Sequence, residues 1–344
     1  MNSWYGKFHL EMHWWHGAHF ALWNRTEMLE QSLDWYSRAL PGAYGTAEWQ
    51  GYEGARWQKM TGPNGRKGPS DVGEFLVWQQ PHIIYYAEEL YRQNPTEEIL
   101  KDYQERVFAT ADFMADFAAL DQNDGYYHLD PPLIPAQELF DRSTTRDPPF
   151  EVAYWHYGLT VAQQWRERLG LDPDPKWQEV IDNLAPLAVK EGLYLPDRNS
   201  PQAYADDRYR HDHPMVVGTY GLIPSNEVVD AEIMKRTYNE IYNDWDWPST
   251  WGWDYPMMAM AATKLGMPEK AIESLFMDVQ KNTYLKNGHN YQDERLRLYL
   301  PGNGALLSAV ALMAAGWENG PDTETPGFPD EGWNVRWENI RKMQ

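Results

Sequence analysis

The sequence predicts an all-α fold in which about ten to twelve helices close into an (α/α)6 barrel, with an inner and an outer ring. Apolar residues recur at helical spacing through most of the 344 residues, whereas strand-like alternation is scarce. Glycine follows several predicted helices, as at Gly170, Gly192 and Gly266. Long connections alternate with short ones, and no fixed repeat length supports the competing architecture, an open solenoid of helical hairpins.

The predicted helices follow one another along the whole chain. The first covers residues 16–40 and should end at Pro41 and Gly42. The others are predicted, in order, at residues 52–60, 75–91, 96–120, 150–169, 175–191, 228–243, 255–265, 268–281, 304–317 and 332–342. We expect residues 1–344 to form a single barrel. Residues 8–15, close to the start of the chain, resemble the middle of a binding site more than the start of a domain. This suggests that relatives carry an additional N-terminal domain.

Composition and charge narrow the classes of function. The 51 acidic residues outnumber the 30 basic ones, and the formal net charge of -21 disfavours binding to nucleic acid or to an anionic membrane. The absence of cysteine excludes disulfides and cysteine-ligated metals. No apolar run reaches membrane-spanning length, and no signal peptide follows Met1. The 18 Trp and 22 Tyr are more typical of a carbohydrate-binding protein than of a kinase or dehydrogenase.

Two loops rich in aromatic, carboxylate and amide groups lie beside apolar helices in the last third of the chain. They cover residues 247–255, with Trp253 and Asp254, and residues 287–294, with His289 and Asn290. Aromatic faces pack on the C–H faces of sugar rings, and paired carboxylates cleave glycosidic bonds. The pattern therefore favours a sugar site, although such aromatic residues can equally belong to the core.

Five short motifs, in the same order, resemble those of (α/α)6-barrel glycoside hydrolases, most closely the relatives of family 95 and more loosely families 65 and 78. The resemblance implies a six-hairpin glycosidase-like toroid with glycosidase activity. One motif, ending in Glu138, is similar to the loop that carries the family's general acid. The motifs are residues 9–15, 132–138, 211–214 with 220–224, 252–253, and 302–304.

The chain departs from family 95 where that family places its general base and the residues that hold the catalytic water. Pro301 stands at the position of the base, and Lys7 and His9 replace an asparagine pair. Neither the base nor the α-fucosidase specificity can therefore be transferred. Residues 249–254 are similar to the stretch that carries the family 78 base, with Asp254 at the carboxylate position. Family 65 phosphorylases need no base, because phosphate attacks instead.

Glu138 and Asp254 are accordingly the predicted acid and base of an inverting mechanism, which requires the two carboxyl groups to lie roughly 6.5–9.5 Å apart. Prolines and apolar residues around Glu138 should raise its pKa and keep it protonated. Asp254 could equally cap a helix N-terminus. Asp293 and Glu11 are the reserve candidates for the base.

The other predicted substrate-binding residues come from the same motifs and loops. They are His9, Glu11, His13, Trp14, His211, His213, Trp253, His289, Asn290 and Asn303. No three or four histidines and carboxylates show convergent ligand spacing, so neither a metal nor a cofactor is expected.

The predicted function is inverting hydrolysis of a terminal glycosidic bond in an oligo- or polysaccharide, and the partner is a carbohydrate. An inverting phosphorylase and a non-catalytic carbohydrate-binding barrel are the alternatives. A full-length form could be periplasmic or secreted, and the oligomeric state is open.

Overall fold

Alternating short and long connections join the helices of this protein. A computed structural model describes residues 7–224 and 227–344, and eleven α-helices lie within these ranges. They are α1 (His13–Leu22), α2 (Thr26–Gln50), α3 (His82–Gln93), α4 (Glu97–Phe117), α5 (Pro149–Arg168), α6 (Pro175–Asn183), α7 (Met215–Gly221), α8 (Ala231–Asn243), α9 (Asp254–Lys264), α10 (Pro268–Leu275) and α11 (Leu300–Ala315).

The odd-numbered helices form a closed inner ring. Each contacts the next along the chain, and α11 returns to contact α1. The even-numbered helices α2, α4, α6, α8 and α10 pack outside this ring. The arrangement confirms the predicted all-α barrel, (α/α)6 in type.

The extent of burial differs between the helices of the inner ring and those of the outer ring. All eleven residues of α9 are buried, as expected for an inner helix surrounded by neighbours. Helix α2 instead buries one stripe, at residues 29, 33, 36, 39, 40, 43 and 47, and exposes its opposite face. None of the helices in the described ranges is both long and apolar enough to span a membrane.

The structure corrects the first predicted helix, 16–40, which is two helices. Helix α1 ends at Leu22, and α2 continues through Pro41 to Gln50. Proline removes one intrahelical hydrogen bond. The buried Ala43 and Ala47 continue the apolar stripe beyond it, and this packing outweighs the loss. Gly51, with φ 85°, ends the helix in the left-handed region.

Other boundaries also differ from the prediction. Residues 52–60 are not helical, because the buried Arg56 guanidinium donates to the carbonyls of Trp57 (2.7 Å) and Leu76 (2.6 Å) and holds an irregular backbone. The helix expected at 75–91 begins at His82, and α7 was not predicted. The segment 332–342, expected as a last helix, is irregular.

Within residues 7–224 and 227–344, four pairs of two-residue strands brace the connections. The first pair joins β1 (Phe8–His9) to β2 (Met60–Thr61), antiparallel, with His9 opposite Met60. The other pairs are β3 (Ala119–Leu120) with β4 (Tyr127–His128), β5 (Val189–Lys190) with β6 (Leu193–Tyr194), and β7 (Thr283–Tyr284) with β8 (Asn290–Tyr291).

The two ends of the barrel differ in their connections. Short segments such as 23–25, 94–96 and 265–267 join each inner helix to the following outer helix. Longer segments lead from the outer helices back to the N-termini of the inner ones, at the opposite end. That second end therefore has the chain length needed to build a site.

Candidate active site

A cavity lies at the end of the barrel that holds the N-termini of the inner helices. It contains about 510 Å³ of empty space, part of it open to solvent. The segments that precede all six inner helices contribute to its lining. The lining residues are His9, Glu11 and Met12 before α1, Lys59 before α3, Glu138 before α5, Asp212 and His213 before α7, Trp251 before α9 and Tyr299 before α11.

Lys59 connects two of the cavity carboxylates. Its Nζ contacts Oε1 of Glu138 and lies 3.6 Å from Oε1 of Glu11. Burial lowers the pKa of Lys59, but the two carboxylates outweigh this effect and the pKa lies above its usual value. Lys59 is therefore a stable ammonium group between two acids.

Glu11 is the most enclosed of the three carboxylates that line the cavity. Its Oε1 lies 3.2 Å from Nδ1 of His9, and its side chain is only 4% exposed. Burial would raise the pKa of Glu11, yet Lys59 and His9 outweigh burial and bring the pKa below its usual value. Its Oε2 is buried and has no hydrogen-bond partner in the described part of the chain. Glu11 is thus ionised at neutral pH, with one oxygen left for a ligand.

The loop that carries Glu138 is anchored just before that residue. The backbone N–H of Ala136 donates to Oε1 of Glu151 at 2.7 Å, and burial raises the pKa of Glu151 to about 8. Nε2 of Gln137 donates to the carbonyls of Tyr209 (2.8 Å) and His211 (3.0 Å). These bonds tie the loop before α5 to the segment before α7. Glu138 then reaches the cavity with its side chain 30% exposed and an ammonium partner, not the apolar surroundings that were expected.

His213 is held from behind by Asp254. Its Nδ1 lies 3.1 and 3.0 Å from the two oxygens of Asp254, whose side chain is fully buried. The backbone N–H of Trp251 donates to Oδ2 of the same carboxylate at 2.7 Å. The His213 ring stacks on Trp253, with the ring centroids 4.0 Å apart. These contacts fix the imidazole plane at the cavity wall.

The electrostatics of this pair favour a charged histidine. Burial lowers the pKa of His213, but Asp254 and Asp212 outweigh it and raise the pKa to about 9. Burial raises the pKa of Asp254, and His213 opposes that rise. The charges of Asp254 and Asp212 thus favour the imidazolium form of His213 at neutral pH. The other ring nitrogen, Nε2, lies 3.6 Å from Oδ1 of Asp212.

The structure places the predicted site residues in two groups. Four of them line the cavity, namely His9, Glu11, Glu138 and His213. The other eight do not line it, namely His13, Trp14, His211, Trp253, Asp254, His289, Asn290 and Asn303.

His13, Trp14 and Trp253 lie in the core beside the cavity. His13 contacts the hydroxyls of Tyr36 (3.1 Å) and Ser32 (3.2 Å), and burial lowers its pKa well below the usual value. Trp14 is 3% exposed, and Trp253 is fully buried. None of the three lines the cavity.

Asn290 and Asn303 stabilise the loop before α11. Oδ1 of Asn303 accepts from the backbone N–H of Asn290 at 3.1 Å, and its Nδ2 donates to the carbonyl of Gly288 at 2.7 Å. His289, immediately before Asn290 in the loop, is partly exposed. Asp293 accepts from two backbone N–H groups in its own turn, those of Arg295 and Leu296, each at 2.8 Å. The side chains of Asn303 and Asp293 thus hold the backbone of this loop.

The sequence interpretation missed five lining residues: Met12, Lys59, Asp212, Trp251 and Tyr299. Met12, Asp212 and Trp251 stand within motifs that were recognised, each next to or two residues from a predicted site residue. Tyr299 immediately precedes α11, a position that could have marked it. Nothing in the sequence marked Lys59 as a site residue, because residues 52–60 were expected to form a helix.

The described residues contain one group with the composition of a cation site, and it is not in the cavity. Ligand atoms of Asp121, Asp124 and His128 lie within 4.8 Å of one another. Asp121 is paired with Arg146 at 2.9 Å, and His128 with Asp147 at 2.5 Å. Hydrogen bonds within the protein already account for this cluster.

Comparisons with known proteins support the fold alone. Neither protein-family models nor curated proteins give a match to this chain. Among solved structures, the chain is similar to a putative kojibiose phosphorylase from human microbiome, with a TM-score of 0.66 and 11% sequence identity. The match covers 90% of this chain and 47% of the other, so this chain spans about half the neighbour's length. The similarity supports the six-hairpin glycosidase-like barrel, without support for family 95 in particular.

Proposed function

We propose that this protein is a glycoside hydrolase that removes a terminal sugar from an oligo- or polysaccharide. The observation that carries the proposal is the cavity itself. It brings the carboxylates of Glu11, Glu138 and Asp212 together with the rings of Trp251 and Tyr299. Carboxylates can transfer protons and bind hydroxyls, while aromatic rings pack on sugar rings. The structural neighbour, named as a putative kojibiose phosphorylase, adds support for carbohydrate chemistry on this fold.

Glu138 is the proposed general acid, and Glu11 replaces Asp254 as the proposed base. The two side chains differ in burial, and both contact Nζ of Lys59. Glu11 is enclosed and ionised, whereas the side chain of Glu138 is 30% exposed. In the reaction, Glu138 gives its proton to the leaving oxygen as the bond to the anomeric carbon breaks. Water attacks that carbon and gives its proton to Glu11.

Asp254 is better suited to positioning His213 than to activating water. Its carboxylate is fully buried, does not line the cavity and is bonded to His213 and to the Trp251 backbone. A fixed imidazolium can donate a hydrogen bond from Nε2 to a sugar oxygen. Asp212 beside it can accept one from a neighbouring hydroxyl.

Hydrolysis is favoured over phosphorolysis by the charges of the cavity. Lys59 contacts Glu11 and Glu138, and His213 contacts Asp254 and Asp212. A phosphate ion would have to compete with these carboxylates for both cations, and the carboxylates would repel it. The carboxylates do not repel a neutral sugar hydroxyl.

A substrate panel tests the proposal. The protein is incubated with aryl glycosides and oligosaccharides in phosphate-free buffer, and the first anomer released is identified by proton NMR. We expect free sugar, no acceleration by phosphate, and a large loss of product with Glu138→Gln on the oligosaccharides. The configuration of the released sugar decides the role of Glu11, because inversion requires a base that activates water. Retention would make Glu11 a nucleophile. A glycosyl phosphate would establish the phosphorylase alternative, and binding without turnover would establish the non-catalytic one.

A further inference from the structure

A groove on the outer surface of the barrel has the composition of a second saccharide site. It lies between the C-terminal half of α2 and the loop after β2, with about 840 Å³ of empty space that includes open solvent. Gly42, Gly45 and Trp49 form one side, and Gln58, Asn64 and Lys67 contribute to the other. We call this feature the Trp49 groove.

Trp49 gives the groove an exposed aromatic face. Its side chain is 70% exposed, the highest exposure of any tryptophan in the described residues. Gly42, Gly45 and Trp49 follow at helical spacing on α2, so they share one helix face. A side chain at Gly45 would meet no atom within 4 Å, which leaves open space beside the indole ring. A flat ring next to open space is suited to packing against the C–H face of a sugar.

Gln58 supplies a carboxamide to the groove. The residue is 5% exposed and lines the groove. No residue in the described ranges hydrogen-bonds to its side-chain amide. The amide is therefore available to a ligand in the groove. A carboxamide can donate to one hydroxyl and accept from another, as sugar binding requires.

The groove and the cavity lie on the two sides of one chain segment. Gln58 lines the groove, whereas the next residue, Lys59, lines the cavity. The segment is held by β1 and β2 and by a 2.7 Å bond from the Leu10 N–H to the Lys59 carbonyl. Helix α2 also ends at the cavity end of the barrel, because α1 runs away from the cavity and α2 returns. A polymer at the cavity can therefore have a second unit near Trp49.

We propose that the Trp49 groove binds a neutral sugar unit of a polysaccharide, separately from the unit held in the cavity. A neutral ligand fits because Lys67, the cation over the indole ring at 5.3 Å, is already paired with Glu74. The overall charge of -21 also disfavours acidic polymers. The inference that the polymer is a substrate rests on the proposed hydrolase function. The binding of the polymer to the Trp49 groove does not depend on that function.

Affinity electrophoresis tests the groove without relying on turnover. Glu138→Gln, as a background that does not consume the ligand, is run through gels containing soluble starch, xyloglucan, arabinoxylan or galactomannan. We expect at least one polymer to retard it, and adding Trp49→Ala to weaken retardation at least tenfold. Gln58→Ala should weaken it less. Trp337→Ala, which removes another exposed tryptophan (46%), should leave it unchanged.

Two variants separate the groove from the cavity. Retardation that survives Trp49→Ala but disappears with Trp251→Ala would assign binding to the cavity and overturn the proposal. So would the absence of retardation by all four polymers. If the hydrolase proposal alone fails, no sugar is released in the substrate panel while the Trp49-dependent retardation persists. Circular dichroism melting curves confirm that each variant is folded.

Discussion

The two ends of the barrel both have pockets, yet they use charged residues differently. At the cavity end, Lys59 and His213 each face more than one carboxylate around an opening of about 510 Å³. At the opposite end, a larger pocket of about 1060 Å³ includes Glu88 and Gln344 in its lining. There Glu88 accepts from Trp165 (2.7 Å) and from Arg168 (2.5 and 3.0 Å).

The comparison shows that pocket size does not identify the site. Gln344 bonds to Tyr157 (2.6 Å) and Glu89, so its polar atoms join the C-terminal segment to the inner helices. At the cavity end, an oxygen of Glu11 is left for a ligand, and six helix N-termini add a favourable potential for carboxylates. We therefore expect substitutions at the cavity end to change catalysis and those at the other end to change stability.

Glu138→Gln should have the largest effect. We expect kcat to fall about 10³-fold or more on substrates with poor leaving groups, because a glutamine cannot protonate the leaving oxygen. On activated aryl glycosides, whose leaving oxygens need little protonation, the loss should be far smaller. Steady-state kinetics on both substrate types measures the difference. Equal losses on both would exclude Glu138 as the acid.

Removal of the base should be nearly as severe. Glu11→Ala should lower kcat by about 10²–10⁴-fold, because no carboxylate then accepts the proton of the attacking water. Azide should restore turnover of an activated glycoside and yield a glycosyl azide, which mass spectrometry detects. The matched variant Asp254→Ala should not respond to azide. Rescue of Asp254→Ala and not of Glu11→Ala would return the role of base to Asp254.

Asp254→Asn should have an intermediate effect through His213. Without the carboxylate, the pKa of His213 should fall from about 9 towards its ordinary value, and kcat should fall roughly 10–100-fold. NMR titration of the imidazole measures the first effect without any substrate. Asp293→Asn, which alters a turn outside the cavity, is the control. An unchanged pKa of His213 in Asp254→Asn would contradict the positioning role.

The same pair should also affect stability in alkaline solution. The folded-state pKa of His213 is above the unfolded value of 6.5, so its contribution is fully present below about pH 6.5 and is lost as pH rises through 9. Urea unfolding of the wild type should show this loss, and Asp254→Asn should reduce it.

Glu89→Gln, at the opposite end, should have the smallest effect on catalysis. Burial raises the pKa of Glu89 to about 7, so the free energy of unfolding should fall as pH rises from about 4.5 to 7. The glutamine cannot ionise, and the difference in stability between pH 5 and pH 8 should shrink by on the order of 2 kcal/mol. Activity should remain within about twofold of wild type. An unchanged pH difference would show that Glu89 does not titrate in this range.

The fold was predictable because helical periodicity and helix stops are local signals. Pro41 shows the limit of such signals, since burial of Ala43 and Ala47 carries α2 past it. The composition of the cavity was less predictable, because it depends on six segments that meet only in the folded chain. Lys59 stands 48 residues from Glu11 and 79 from Glu138, and no local pattern links them.

In the aromatic loop before α9, the sequence also failed to identify the residue that lines the cavity. Trp251 and Trp253 are two residues apart, and the sequence favoured Trp253 as the ligand contact. In the structure Trp251 lines the cavity, while Trp253 packs behind His213. Both rings lie near the cavity because both precede α9. Only the folded structure shows that Trp251, and not Trp253, lines it.

The most direct test is a crystal structure of Glu138→Gln soaked with a panel of monosaccharides. We expect a sugar ring in the cavity, packed against Trp251, with hydroxyl groups bonded to Glu11 and His213. The pocket at the opposite end, although larger, should remain without sugar. A sugar bound only at that opposite end, or none bound in the cavity by any member of the panel, would contradict the assignment of the active site.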